Sequence, residues 1–278
     1  MAIGLGMIHL TGRYIKLISR IPRRRLLSFA GGIAVTYVFM IILPELSESQ
    51  RFMREFIQNG SETEWYYYID RHIYLMALAG MIAFYGVERH IKIGKKKIED
   101  KNDFHERFRR KAKVTSIKSF EKKARASRFK SKAEKNRISD IEKDELRLFF
   151  LHMLSFSIYN LIIGYLLIDK EETSLMSLAL YFVGIGLHFY VNDYALRSEH
   201  KKLYDSYGRW VLAFAILAGW MLGVATDIDK KAIDIVYAFL AGSIILNVMK
   251  EELPKEKESS FTAFLSGAAL YAILVLAI

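Results

Sequence analysis

The chain has 278 residues, of which 52% are hydrophobic and 26% are charged, and its formal net charge is +11. It contains no cysteine, which excludes disulfides and metal sites built on thiolates. Hydrophobic and charged residues in these proportions cannot be spread evenly along a folded chain. In this sequence they are separated into apolar blocks joined by charged connectors. The length allows two soluble domains or one polytopic membrane domain, and the segregation favours the membrane domain.

Seven apolar blocks have about the length that a membrane-spanning helix needs, 17–25 residues. In chain order they are 27–46, 72–88, 147–168, 174–195, 209–226, 233–250 and 260–278. Residues 2–19 form an ambiguous eighth block, because His9, Arg13 and Lys16 interrupt it. This block predicts either a short first membrane helix or an amphipathic helix at the interface. We therefore predict an all-α, polytopic membrane helix bundle of seven to eight transmembrane elements.

The charges of the connectors predict the orientation of the bundle. Residues 88–146 contain 21 Lys or Arg and 11 Asp or Glu, so the positive-inside rule places this loop in the cytoplasm. The other connectors then alternate consistently: the inner ones, 20–25, 197–202 and 250–257, are basic, and the outer ones, 47–71, 169–172 and 227–231, are acidic or mixed. We expect a plasma-membrane protein whose C-terminus lies outside.

The order of apolar blocks and charged connectors divides the chain into three predicted parts. Residues 1–87 are the N-terminal membrane helices, 88–146 the basic cytoplasmic loop, and 147–278 the C-terminal membrane helices. The basic loop has two interpretations: it binds anionic lipid or nucleic acid, or it is a solvated loop with one or two charged helices that sets the topology. We favour the second interpretation and expect no nucleic acid partner.

A polar run inside the block 174–195 marks the first place to look for function. His188, Asn192 and Asp193 lie there among apolar residues. A charged group within membrane reach costs a few kcal/mol, and such groups usually face other helices or a wet cavity. His188 and Asn192 are four residues apart, so on a helix they share one face.

Two of the apolar blocks also resemble each other. Residues 30–45 read AGGIAVTYVFMIILPE and residues 241–255 read AGSIILNVMKEELPK. Both begin Ala-Gly-x-Ile and end with Leu-Pro and a charged residue. On the charge map the two segments run in opposite directions, which is typical of the inverted repeats of membrane transporters.

These features together resemble the ZIP family of zinc and iron transporters. The segment from Gly32 to Pro44 is similar to the family's second helix, and the segment from Ala241 to Pro254 is similar to its seventh. Residues 159–164 (YNLIIG) resemble its fourth-helix motif, His-Asn-x-x-Asp/Glu-Gly, and residues 188–193 (HFYVND) resemble its fifth-helix motif, His-Glu-x-Pro-His/Asp-Glu/Gly. The resemblance implies a bundle of eight elements whose fourth and fifth helices carry a metal.

The departures from the family pattern reduce the implied ligand set. In the fourth-helix motif only Asn160 and Gly164 match, and in the fifth Asn192 takes the place of His or Asp. The remaining candidate metal ligands are His188, Asn160, Asn192, Asp193 and Glu251. Two other interpretations stay open: the His and Asn side chains hydrogen-bond each other across helices, and Asp193 pairs with Arg197 four residues later. Glu251 also has the alternative of a solvated helix end.

The expected function is therefore transport of a divalent, zinc-like cation with a reduced ligand set. The alternative is a non-transporting ZIP-like scaffold, sensor or regulator that acts through the basic loop. We expect no enzyme and no catalytic residue, because the sequence has no nucleophile elbow, phosphate loop, HExxH motif or dinucleotide fingerprint. No cofactor is expected other than the cation as substrate. The expected partners are the lipid bilayer, a divalent cation and a second copy of the chain.

Overall fold

The computed structural model describes residues 1–11, 23–59, 73–115, 123–171, 175–226, 228–252 and 260–277, and in these ranges it contains helices and no strands. Within these ranges there are nine α-helices, which in chain order are α1 Ala2–Thr11, α2 Arg23–Tyr37, α3 Leu43–Asn59, α4 Ile73–Thr115, α5 Lys123–Glu171, α6 Leu175–Leu203, α7 Arg209–Ala225, α8 Lys230–Asn247 and α9 Phe261–Leu276. Among the same described residues, three π-helical segments continue α2, α6 and α8: Val38–Ile42, Tyr204–Gly208 and Val248–Glu252. The prediction of an all-α chain is confirmed.

Four helical stretches of the described residues are long and apolar enough to cross a membrane. They are Arg25–Glu55, Asp140–Ile168, Leu175–Ala225 and Lys230–Lys250. Helices α1 and α9 are apolar but shorter, with 10 and 16 residues. The apolar block 72–88 is the first part of α4, which continues to Thr115 as one helix of 43 residues. The chain thus has several helices suited to a bilayer.

The chain divides into two compact units. The first combines Met1–Tyr85 with Ser155–Ile278, and the second is Gly86–Leu154. In the second unit the Leu148 side chain packs over Gly94, and Lys101 forms an ion pair of 3.2 Å with Asp144. The basic stretch 88–146 is therefore helical wherever the structure describes it, in the later part of α4 and the earlier part of α5.

The N-terminal helix α1 is a packed element of the first unit. It contacts α6 and α7, and its Leu5 and His9 side chains are buried. At 1.5 Å per residue its ten residues span about 15 Å, roughly half the hydrocarbon thickness of a bilayer. The described part of residues 2–19 is thus a short helix within the bundle, and residues 12–19 lie outside the described ranges.

Glycines allow three pairs of helices in the first unit to cross at backbone contact. At each crossing, each of the two helices has a glycine that faces a backbone carbonyl of the other helix. A Cβ added to either glycine would collide with that carbonyl oxygen. The pairs are Gly32 and Gly267 for α2 and α9, Gly80 and Gly242 for α4 and α8, and Gly164 and Gly219 for α5 and α7. Small residues at helix crossings are the usual means of close packing in membranes.

The segments that resemble each other in sequence also share two structural features. Gly32 and Gly242 each lie at a helix crossing, and the π-helical segment begins six residues later in both, at Val38 and Val248. Both sequences then place a proline two residues beyond the π-helical segment. Proline cannot donate a backbone hydrogen bond and its ring collides with the carbonyl four residues earlier, which favours a local widening of the helix at Pro44. Pro254 itself lies outside the described residues.

Candidate functional site

A buried imidazole from α1 joins two of the predicted site residues. His9 is 2% exposed, and its Nδ1 lies 2.8 and 2.9 Å from the two carboxylate oxygens of Asp193 on α6. Its Nε2 lies 2.9 Å from Oδ1 of Asn160 on α5. The ring also stacks on Phe189, with centroids 4.7 Å apart. Three helices that are distant in sequence therefore meet at one polar group, and we refer to His9, Asn160 and Asp193 as the His9 cluster.

The hydrogen bonds of Asn160 determine where His9 carries a proton. The amide nitrogen of Asn160 donates to the Phe156 carbonyl at 2.8 Å, which turns Oδ1 towards His9. An amide oxygen only accepts hydrogen bonds, so Nε2 of His9 must be the donor. The Nδ1 atom then shares a single further proton with the Asp193 carboxylate. The pair is either an imidazolium with a carboxylate or a neutral imidazole with a carboxylic acid.

The other predicted ligands of α6 form a second group, which we call the His188 cluster. Nε2 of His188 accepts a hydrogen bond from the amide of Asn192 at 2.9 Å and lies 2.7 Å from the Tyr159 hydroxyl. His188 and Asn192 share one face of α6, as their spacing predicted, and both are buried. Two donors thus converge on one nitrogen of His188, and a cation would reach Nε2 only by displacing them.

The alternative interpretation, in which Asp193 pairs with Arg197, is wrong. Arg197 instead forms a bidentate ion pair with Asp205, with distances of 2.7 and 3.1 Å. The helix bends between these two residues, since His200 has non-helical angles of φ −135° and ψ 44° and the π-helical segment begins at Tyr204. The bend brings Asp205 to Arg197 and leaves Asp193 facing His9.

The five predicted ligands therefore do not form one group. Asn160 and Asp193 belong to the His9 cluster, and His188 and Asn192 belong to the His188 cluster. Glu251 lies in the π-helical segment Val248–Glu252, which packs against α2 and α6, and its side chain is outside what the structure describes. The predicted mutual hydrogen bonds of His188, Asn160 and Asn192 are present only between His188 and Asn192, which lie on the same helix, whereas Asn160 bonds His9.

The His9 cluster has the donor atoms of a small cation site. Imidazole nitrogen and carboxylate oxygen are both ligands of zinc and similar divalent cations. A histidine that binds a metal through one nitrogen usually donates from the other to an oxygen, which fixes its tautomer. Asn160 takes this outer role towards Nε2, so Nδ1 and the Asp193 carboxylate would be the ligating atoms, in the place that the shared proton now takes.

His9 is the functional candidate that the sequence prediction missed. The argument applied to His188, an imidazole within an apolar run, applies equally to His9 between Ile8 and Leu10. His9 was not selected because Arg13 and Lys16 left it open whether the block 2–19 crosses the membrane or lies at its surface. The contact partner could not be read from the sequence, since His9 and Asp193 are 184 residues apart.

A scan against models of known protein families, a search of curated proteins and a search of solved structures each found no significant match to this chain. The similarity to ZIP transporters therefore remains a prediction from the sequence motifs alone.

Proposed function

We propose that this chain is a polytopic membrane protein that binds and moves a divalent cation of the zinc class, in a ZIP-like manner. The observation that supports the proposal is the His9 cluster, where His9, Asp193 and Asn160 meet from three helices among buried apolar residues. Intramembrane ionisable groups commonly mark ion pathways and proton relays. The cation would bind between Nδ1 of His9 and the Asp193 carboxylate.

The proposal changes the role that the sequence resemblance gives to Asn160. Its amide oxygen already accepts the Nε2 proton of His9, so Asn160 orients the imidazole instead of binding the cation. His188 becomes a neighbour on the same helix whose Nε2 is engaged by Tyr159 and Asn192. We expect the substitution of His9 to lower transport more than the substitution of His188.

An inverted repeat would supply the movement. The two segments with matching positions, Gly32 to Pro44 and Gly242 to Pro254, would be equivalent helices of the two halves, each with a glycine crossing and a π-helical segment. Transporters of this kind place the site near the bilayer midplane and expose it to either side by rocking one half against the other. The π-helical segments are where the two helices would bend.

The test is cation uptake by proteoliposomes that contain an internal zinc-sensitive dye. We expect zinc uptake by the wild-type chain, loss of uptake in His9→Gln and Asp193→Asn, and a smaller loss in His188→Gln. The matched control is His90→Gln, which removes an exposed histidine of the second unit and should leave uptake unchanged. Thermal melting of each purified variant by circular dichroism separates loss of the site from loss of the fold.

A second candidate function is a membrane scaffold or regulator that acts through the basic stretch 88–146. Two observations favour it: both ring nitrogens of His9 already have partners within the protein, and α4 and α5 are 43 and 49 residues long. Helices of that length span about 65 and 75 Å, well beyond a bilayer of about 30 Å. Absence of uptake in the wild-type proteoliposomes, with the fold intact, would support the scaffold against the transporter.

A further inference from the structure

Two helix crossings in the first unit, α2 with α9 and α8 with α4, have the same register. At both crossings, the glycine of each helix faces the carbonyl of the residue three positions before the glycine of the other helix. The four contacts are Gly32 to Phe264, Gly267 to Phe29, Gly242 to Ala77 and Gly80 to Phe239. The resemblance between α2 and α8 in sequence therefore extends to the way in which each helix packs.

The π-helical segments that continue α2 and α8 also correspond. They begin six residues after the matching glycines, at Val38 and Val248. The segment Val38–Ile42 contacts α8, and the segment Val248–Glu252 contacts α2. These contacts are reciprocal, as they are between repeats related by a two-fold axis. By the same count, the last residues of the two regular helices, Tyr37 and Asn247, are equivalent.

Tyr37 and Asn247 are both buried polar residues that lack a polar partner within the described part of the chain. Each is 1% exposed, and neither the Tyr37 hydroxyl nor the two polar atoms of the Asn247 side chain has a hydrogen-bond partner there. Buried polar groups are nearly always hydrogen-bonded, and those that are not bonded to protein are usually bonded to water. A phenol and an amide share little except the capacity to donate and accept hydrogen bonds. Their equivalent positions therefore indicate a common need for that capacity.

The ring of Tyr37 is held in place, but its hydroxyl is not. The ring packs against Gly184 of α6 and makes edge contacts with the rings of Tyr181 and Tyr271, with centroids 6.2 and 6.4 Å away. Tyr271 is equally buried, and its hydroxyl donates to the Leu180 carbonyl at 3.0 Å. What distinguishes Tyr37 is the π-helical segment that follows it. Helices widen in such segments, and water can insert between their backbone groups.

We propose that Tyr37 and Asn247 are equivalent binding positions for single water molecules, at the points where the π-helical segments widen α2 and α8. The inference rests on the inverted repeat of the proposed function and gives a ligand to two residues outside the His9 cluster. On the charge map the segment after Tyr37 leads to the outside, and the segment after Asn247 leads to the inside. The two residues would therefore mark the inner ends of two water paths, one from each side of the membrane. Bound water would let each helix bend without leaving a backbone group unbonded.

The first test is oxidation by hydroxyl radicals, generated by X-ray radiolysis of water around the full chain in nanodiscs and located by mass spectrometry. Bound water yields radicals as bulk water does, so a buried residue beside water is oxidised. We expect Tyr37 to be oxidised several-fold faster than Tyr159, an equally buried control whose hydroxyl is bonded to His188. Asn247→Cys, in a chain without other cysteines, should be oxidised several-fold faster than Ile244→Cys, an equally buried control on α8.

The second test uses Tyr37→Phe and Asn247→Leu, which keep the approximate shape of each side chain and remove its polar atoms. If those atoms had no partner at all, both variants would melt at a higher temperature, because an unbonded buried polar group destabilises the fold. We expect each variant instead to melt about 2–4 °C lower, because it loses a hydrogen bond to water. The control Tyr85→Phe removes the hydroxyl of an exposed side chain and should melt like the wild type.

These two measurements are independent of cation transport. A wild type that takes up no zinc and gives both expected results would exclude the transporter and support the water positions. Oxidation of Tyr37 and of Asn247→Cys no faster than that of their controls overturns the proposal. A higher melting temperature of both Tyr37→Phe and Asn247→Leu also overturns it.

Discussion

The His9 cluster differs from the cavity of about 200 Å³ that lies between α3, α6 and α8 and is lined by Glu45, Glu48, Glu55, Arg51, Lys230 and Asp234, which we call the acidic cavity. The two regions hold buried charge in opposite ways. In the His9 cluster the imidazole and the carboxylate are both almost fully buried and bond each other directly at 2.8 Å. In the acidic cavity Asp234 has a half-exposed lysine 3.8 Å away and a volume large enough for several waters beside it. The first arrangement is held by direct hydrogen bonds between its side chains, whereas the second has an open volume beside its buried carboxylate.

A polar residue in an apolar block is not by itself a site. The polar atoms of the His9 cluster are hydrogen-bonded to one another, so a cation there must replace a shared proton. In the acidic cavity the lysine that faces Asp234 is exposed to water. We therefore expect mutations in the His9 cluster to lower both cation uptake and the free energy of unfolding, and mutations in the acidic cavity to have smaller effects on stability.

The largest effect is expected from Asp193→Ala. Removing one partner of a buried pair leaves the other with its desolvation penalty, which costs about 3–5 kcal/mol if the pair is ionised and about 1–3 kcal/mol if it is neutral. The free energy of unfolding, measured by denaturant titration in micelles with circular dichroism, should fall by that amount. The control is Asp144→Ala, which breaks the surface pair with Lys101 and should cost less than about 1 kcal/mol. Equal losses in the two variants would contradict the buried ion pair.

A smaller but specific effect is expected from Asn160→Leu. The leucine fills a similar volume but leaves the Nε2 proton of His9 without an acceptor, which should cost about 1–3 kcal/mol in the free energy of unfolding. Asn160→Asp restores an acceptor and should recover most of the loss. Nitrogen-15 spectra of the histidine rings should place the wild-type proton of His9 on Nε2. A proton found on Nδ1 alone would rule out the orienting role of Asn160.

The sequence predicted the secondary structure well, because apolar blocks of about 20 residues leave few alternatives to helices. It also predicted that His188 and Asn192 share a face, since this follows from the helical repeat. It did not predict the partners that the structure gives to Asp193 and Arg197: Asp193 contacts His9, and the bend at His200 with the following π-helical segment brings Asp205 to Arg197. Such bends depend on packing between helices, which the local sequence does not specify.

The composition of the two regions was predictable to different degrees. Asn160 and Asp193 were predicted as metal ligands because they lie in segments that resemble family motifs. In the structure both contact His9. Their meeting point could not be predicted, because it depends on where α1 packs against α6 and α7. The acidic cavity left no motif in the sequence: Glu45 and Asp234 lie on different helices, at positions that read as ordinary charged ends of apolar blocks.

At the acidic cavity we expect Ser49→Ala to have only a modest effect on stability. The Ser49 hydroxyl donates to Asp234, but a water in the cavity can replace that donor, so the loss should be about 0.5–1 kcal/mol. Ser266→Ala is the matched control, because that exposed hydroxyl bonds a carbonyl of its own helix and its loss should be smaller still. A loss comparable to that of Asn160→Leu would show that the cavity is dry.

The smallest effect on stability is expected from Lys230→Gln. The pair with Asp234 involves an exposed ammonium at 3.8 Å, and exposed pairs contribute about 0–1 kcal/mol because water screens them. The free energy of unfolding, measured by denaturant titration in micelles, should therefore change by less than about 1 kcal/mol. A loss as large as that of Asp193→Ala would mean that water does not screen the pair with Asp234, and the acidic cavity would then resemble the His9 cluster as a self-contained group of charges.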